Sequence, residues 1–297
     1  MTSKLRFTKL DVFTSTRFLG NPLAIVHLSA DTSNLSQPQK QLIAREFNLS
    51  ETVFLHEPAP EAKDGPIVID IFTTTEELPF AGHPTVGSGS YLLSRAPEKD
   101  TITLRTKAGD IPVIRESEKV RLQVPIDFKV HAPYTEPTAK EFQPRLTSKD
   151  YFNGTDGAEA VASIVKGMTF LLLQLSSEDA LARMQPFPTR LQIPALGDWE
   201  GFVGLYAFYE REDGVVRTRM FDASLEDPAT GSAASTLAGY LAKQKGEGTW
   251  KINIIQGVEM GRKSEIEVVV EVDARSEIKR IDLGGGAIQV MEGWIQL

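Results

Sequence analysis

The chain has 297 residues, 41% hydrophobic and 24% charged, with 23 Gly and 17 Pro, which is globular composition rather than disordered, collagenous or coiled-coil. The absence of Cys excludes thiolate nucleophiles, disulfide frameworks, Cys-ligated zinc and iron–sulfur clusters, and a formal charge of -8 argues against a nucleic-acid surface, which needs concentrated Lys and Arg. No apolar run approaches the roughly 18 residues of a membrane span, and Met1 to Leu10 lacks the apolar core and cleavage site of a secretory signal. No membrane association and a cytoplasmic location are therefore expected.

Phe7 to Phe13 is rich in β-formers, and a turn-prone stretch ending at Gly20-Asn21-Pro22 separates it from a strand at Leu23 to Val26. Ser36 followed by Pro38 signals a helix start; Leu42, Ile43 and Phe47 supply one apolar face, and Asn48 closes the helix. Strands at Thr52 to Leu55 and Ile67 to Phe72, joined by a polar loop between His56 and Gly65, read as a hairpin. A helix is expected over Thr85 to Arg95, then strands at Ile102 to Leu104, Ile111 to Ile114 and Val120 to Val124.

The Pro-rich polar stretch Pro133 to Lys149 interrupts the pattern. Placing the boundary just before it gives an N-terminal domain 1–128 and a C-terminal domain 129–283, with 284–297 able to return to the first. In the second half, strands are expected at Thr169 to Leu175, Phe202 to Tyr209, Val215 to Phe221, Ile252 to Ile255, Ile266 to Val272 and Ala287 to Met291. Helices are expected from Glu178 to Met184 and, rich in small residues, up to Leu241. Gly284-Gly285-Gly286 reads as a bulge or turn before the last strand. The strand-heavy ends of both halves fit an α+β class better than a doubly wound parallel sheet.

Shifted by 149 residues, Phe72, Glu77, Pro79, Gly82, Tyr91 and Leu92 fall on Phe221, Glu226, Pro228, Gly231, Tyr240 and Leu241. Each copy reads strand, acidic Pro-containing loop, Gly, then a helix of small residues. Gly82 and the Gly231-Ser232 pair would therefore stand at helix N-termini, where unpaired N–H groups and the helix dipole suit a carboxylate. Tight strand-to-helix connections would look the same. Gly87 and Gly89 inside a helix cost about 1 kcal/mol each relative to Ala, which suggests that other backbone crowds them.

Alternation through Thr52 to Leu55 puts Glu51 with Val53 and Leu55, a carboxylate on an apolar face where desolvation would raise its pKa toward the range of a general acid or base. A solvated Glu at the strand's start fits equally. His83 and Asp227 each adjoin one of the Gly turns and would be functional only if the halves converge on one cleft; singly, each suits a cap or turn role. The four His are not spaced as ligands, so no metal site is expected. No Gly-x-Ser-x-Gly elbow or phosphate loop is present.

Gly20-Asn21-Pro22, Asn48-Leu49-Ser50-Glu51-Thr52, Phe80-Ala81-Gly82-His83-Pro84-Thr85, Glu226-Asp227-Pro228-Ala229-Thr230-Gly231-Ser232-Ala233 and Gln256-Gly257-Val258-Glu259-Met260-Gly261-Arg262 occur in the order and approximate spacing of the PhzF-like phenazine-biosynthesis isomerases. The resemblance runs from about Phe7 to the C-terminus. It implies the diaminopimelate-epimerase fold: two pseudo-symmetric domains, each a mixed β-roll around a central helix, with the active site in the cleft between them. The paired cysteines of the epimerases are matched here by Ala81 and Thr230, so two-thiol racemisation is excluded. The resemblance further implies a cofactor-independent isomerase that moves a proton between carbons of a small anionic cyclic substrate similar to a dihydro-hydroxyanthranilate. Glu51 would act as base and then acid, His83 and Asp227 would be its catalytic partners, and Asn21, Ser50, Gly82, Gly231 and Ser232 would bind substrate. It is compatible with a homodimer. The segment Asp222 to Leu225 is shorter than the corresponding family loop, which helps to shape the cleft. Two other readings stand beside this one: a carboxylate-binding module without catalysis, and a lyase or hydrolase led by Asp227 or His83.

Overall fold

The computed structural model describes residues 4–29, 35–57, 65–135 and 137–297. The chain forms two compact units, one made of residues 1–123 and 284–297 and the other of Val124–Leu283. The break follows Gln123 because the next residues bond into the second unit: Val124 N–H donates to the Ile281 carbonyl and Asp127 N–H to the Ile164 carbonyl.

In the first unit β1 (Lys4–Val12) and β2 (Asn21–Leu28) pair antiparallel, Val12 opposite Asn21. Helix α1 (Gln37–Phe47) crosses over to β3 (Thr52–His56), which lies parallel to β2. The Gln39 side-chain oxygen accepts from both the N–H and the hydroxyl of Ser36, and Asn48 stops the helix at φ +50° with its N–H on the Ala44 carbonyl. Ile43 and Ala44 are buried and Phe47 packs edge-on against Phe7, but Leu42, assigned to the apolar face from sequence, is 61% exposed. β4 (Ile67–Phe72) returns antiparallel to β3, so the hairpin forms, although residues 58–64 of its loop lie outside the described residues. β5 (Glu77–Leu78) folds back on β4, and α2 (Gly82–Ser94) leads to the meander of β6 (Thr101–Thr106), β7 (Gly109–Glu116) and β8 (Lys119–Gln123).

Helix α2 starts at Gly82, before the expected Thr85, and packs against β1, β2, β3, β6, β7 and β8. A helix surrounded in this way must be apolar or small all round. The crowding inferred from its glycines is real, but side chains cause it: a Cβ on Gly87 would stand 2.5 Å from Leu23 Cδ2, and one on Gly89 2.6 Å from Val113 Cγ1.

The second unit repeats the plan. After β9 (Lys129–Val130) and the short α3 (Pro137–Glu141), β10 (Ala160–Val165) and β11 (Met168–Gln174) pair antiparallel. Helix α4 (Glu178–Arg183) precedes β12 (Phe202–Glu210), which runs parallel to β11. β13 (Val215–Asp222) and β14 (Leu225–Asp227) follow antiparallel, and α5 (Gly231–Lys245) leads to β15 (Gly248–Gln256), parallel to β13, and β16 (Ser264–Val272). Phe72 opposes Glu77 and Ile71 opposes Leu78 in the first unit, while Phe221 opposes Glu226 and Met220 opposes Asp227 in the second. The sequence repeat is thus a repeat of strand register as well.

β17 (Ile278–Gly285) and β18 (Ala287–Gln296) end the chain, β18 antiparallel to β1. The triple glycine is not a turn: Gly284 and Gly285 lie in β17, and a Cβ on Gly285 would stand 2.4 Å from the Phe13 ring. β10 and β17 carry no expectation from sequence, because the first is short and interrupted by Ser163 and the second opens on charged residues. Among the described residues no helix is long and apolar enough to cross a membrane.

Candidate active site

Glycine 20 sets the geometry of the first unit's site. At φ +70° a Cβ there would stand 2.2 Å from the Val12 carbonyl oxygen, so only Gly lets the chain turn back so closely into β2. Asn21 opens that strand, and because β2 and β3 are parallel, with Ala24 opposite Thr52, Asn21 and the connection holding Ser50 and Glu51 share one end of the sheet. The Ser50 hydroxyl donates to Asn21 Oδ1 at 3.4 Å.

The first turn of α2 adds His83, which is 3% exposed. Its Nδ1 stands 2.9 Å from Glu51 Oε2 and its Nε2 3.3 Å from the Asn21 carbonyl oxygen. A carbonyl only accepts, so Nε2 carries hydrogen and the tautomer is fixed by the backbone. The contact between Nδ1 and Oε2 is then complementary when a single proton lies between them.

Glu51 lies just ahead of β3, with its side chain 18% exposed, enough to meet a ligand and too little for full hydration. Thr52 to Leu55 are buried on both faces, so the expected single apolar face does not exist. The expected upward pKa shift is not found either. Burial alone would raise the carboxyl, but the hydrogen bond and positive charge of His83, with a hydrogen bond from Ser50, hold it below its ordinary value.

In the second unit β14 ends on Asp227, and Gly231 and Ser232 form the first turn of α5. Gly82 holds the matching place in α2. These first-turn N–H groups have no acceptor within their own helix, so each helix start can receive an anion. The Thr230 hydroxyl donates to Asp227 Oδ2. Gln256, buried at the end of β15, bonds to both Asp227 and Thr230, and the buried Tyr206 hydroxyl bonds to Gln256. The short Asp222 to Leu225 segment is a tight hairpin, with Ala223 at φ +53°.

The structure therefore brings Glu51, His83, Asn21 and Ser50 together in the first unit, and Asp227, Gly231 and Ser232 in the second. Sequence reasoning quoted Gln256 in a motif but gave it no role, and it passed over Tyr206 and Thr218. A polar residue before Gly at a strand end reads as a turn, and a Tyr within an apolar strand reads as core. Among the described residues no group of three or more His, Asp or Glu could hold a metal.

Two units of one strand order, each wrapped on a buried helix whose first turn adjoins a carboxylate, define the diaminopimelate-epimerase-like fold. A hydroxyproline epimerase from Agrobacterium vitis shares it with a TM-score of 0.63 at 13% identity, covering 100% of this chain and 94% of its own. A PhzF-family phenazine biosynthesis protein from Bacillus anthracis does so at 0.80 and 24%, covering 99% and 100%. Residues 10–293 match the family described as phenazine biosynthesis-like protein, PhzC-PhzF. The trans-2,3-dihydro-3-hydroxyanthranilate isomerase of Pseudomonas aeruginosa is 32% identical over 308 residues, covering 97% of this chain and 98% of that protein. The chain belongs to the PhzC-PhzF family and is an isomerase.

Proposed function

We propose that the chain moves a proton between two carbons of a small cyclic carboxylate, with Glu51 as base and then acid. The observation that carries this reading is the 2.9 Å pairing of a largely buried but reachable Glu51 with His83. In the first step the C–H bond breaks, its proton passes to the Glu51 carboxylate, and the electron pair spreads into the conjugated ring. In the second, Glu51, whose proton exchanges with solvent in the interval, protonates another carbon of that system. Nothing is oxidised or reduced, and the reading calls for no cofactor.

A carboxylate held below its ordinary pKa is a weak base toward carbon. The C–H bond must therefore be acidified by stabilising the charge that develops on the ring and its carboxylate. The helix starts at Gly82 and at Gly231-Ser232 suit that task. Asp227 would accept from a polar substituent of the ring. The substrate class is that named for the Pseudomonas aeruginosa relative.

The test uses the purified chain in D₂O with trans-2,3-dihydro-3-hydroxyanthranilate. Solvent deuterium should enter the product at carbon, and Glu51→Gln should lower turnover by about 10²- to 10⁴-fold. A Gln variant with full turnover, or a ligand bound without any exchange, overturns the reading.

A further inference from the structure

Tyr206, Thr218 and Gln256 are fully buried polar side chains that the proposed chemistry does not use. Their hydrogen bonds form a line. Tyr206 Oη lies 3.0 Å from both Thr218 Oγ1 and Gln256 Oε1. The same Gln256 oxygen accepts the Thr230 N–H at 3.3 Å, and Gln256 Nε2 donates to the Asp227 carbonyl at 2.8 Å and to Thr230 Oγ1 at 3.2 Å. The Thr230 hydroxyl ends the line on Asp227 Oδ2.

Two backbone groups decide its direction. The Thr230 N–H can only donate and the Asp227 carbonyl can only accept, so the Gln256 amide fits in one orientation. Its oxygen must then receive the Tyr206 hydrogen. Because Nε2 donates to Thr230 Oγ1, the Thr230 hydrogen is free to turn toward the carboxylate. We infer that Gln256 is the positioning residue for Asp227, the hub of a one-directional chain from Tyr206 through Gln256 and Thr230 to the carboxylate. The inference rests on the place given to Asp227 in the proposed reaction.

The geometry around Gln256 supports a dedicated role. Three of its four bonds go to the Asp227 to Thr230 turn. The next residue, Gly257, is pressed on the same turn: at φ +74° its Cβ would stand 2.6 Å from the Pro228 carbonyl oxygen. Leu at position 256 would fill the space but take away the acceptor of the Thr230 N–H and one donor to the Asp227 carbonyl.

The experiment has two arms on the full chain. The first is backbone amide exchange by NMR, which needs no substrate. Gln256→Leu should speed exchange at Thr230 by about tenfold or more while Val53 in the other unit stays unchanged, and Tyr206→Phe, which removes one oxygen, should give a smaller effect in the same direction. Unaltered Thr230 exchange in both variants overturns the chain. The second arm is turnover of trans-2,3-dihydro-3-hydroxyanthranilate. Gln256→Leu should lower kcat toward the value of Asp227→Asn, and the double variant should be no slower than Asp227→Asn alone. Losses that multiply overturn the positioning role. Should Gln256→Leu not fold, the cycle is run with Tyr206→Phe. If the unaltered chain does not turn the probe over, the proposed function falls while the exchange arm still decides the network.

Discussion

Replacing Gly20 with Ala tests how one backbone position holds the site together. Two costs are separable. A φ of +70° places an L-residue in the left-handed region, at roughly 1–2 kcal/mol. The new Cβ would also stand 2.2 Å from the Val12 carbonyl oxygen, and because that atom is backbone the strand entry must move. Movement of Asn21 would lengthen the Nε2 contact from His83, forfeiting a buried hydrogen bond of about 1 kcal/mol. The sum is about 2–3 kcal/mol. Gly214 is the control: its φ is +81° and nothing lies within 4 Å of its Cβ position, so Gly214→Ala should show the left-handed cost alone. Amide exchange read by mass spectrometry on peptides from each unit, across a urea series, measures both without assuming that the units unfold together. Equal losses for the two variants, or a Gly20→Ala loss under about 1 kcal/mol, would refute the argument that close approach rather than φ makes Gly20 necessary.

Other predictions concern buried charge. His27, 4% exposed, has its pKa pushed down to about 4 by burial and then by the Arg6 charge, so it stays neutral when folded while the unfolded imidazole titrates near 6.5. The unfolded state therefore takes up the proton first: stability is full above about pH 6.5 and falls as pH drops toward 4, by up to roughly 3 kcal/mol. His27→Asn should flatten that part of a denaturation-versus-pH curve. Lys140 and Glu159 form a buried pair at 2.9 Å, and the lysine also donates to the Gly154 and Gly157 carbonyls. Lys140→Met should cost about 3–5 kcal/mol in urea denaturation, with much of the loss recovered when Glu159→Leu is added; no recovery would show that the loop contacts, not the charge, carry the effect.

Much of the chain was legible because its signals are local. Ser36, Pro38 and Asn48 bracket a helix through their own backbone chemistry, and Gly82 and Gly231 open helices at matching places in the two copies. β10 and β17 were not legible, since neither carries a pattern or caps of its own and partner strands supply their hydrogen bonds. Leu42 was misread for a related reason: helical spacing names a candidate face, but the packed neighbour decides which residues it covers.

The same division runs through the site. The sequence alone determined that two copies of a strand, turn, Gly and small-residue helix exist, that no thiol chemistry is available, and that Glu51 is the carboxylate to examine. Tertiary structure decided what that carboxylate is like. Its pKa falls rather than rises because the hydrogen bond and charge of His83, 32 residues away, together with Ser50 outweigh burial. Gln256 binds the Asp227 turn across 29 residues of chain. Backbone conformation responds to side chains within a turn or two, whereas hydrogen bonding and electrostatics respond to whatever folding brings within about 4 Å, and no local pattern records that.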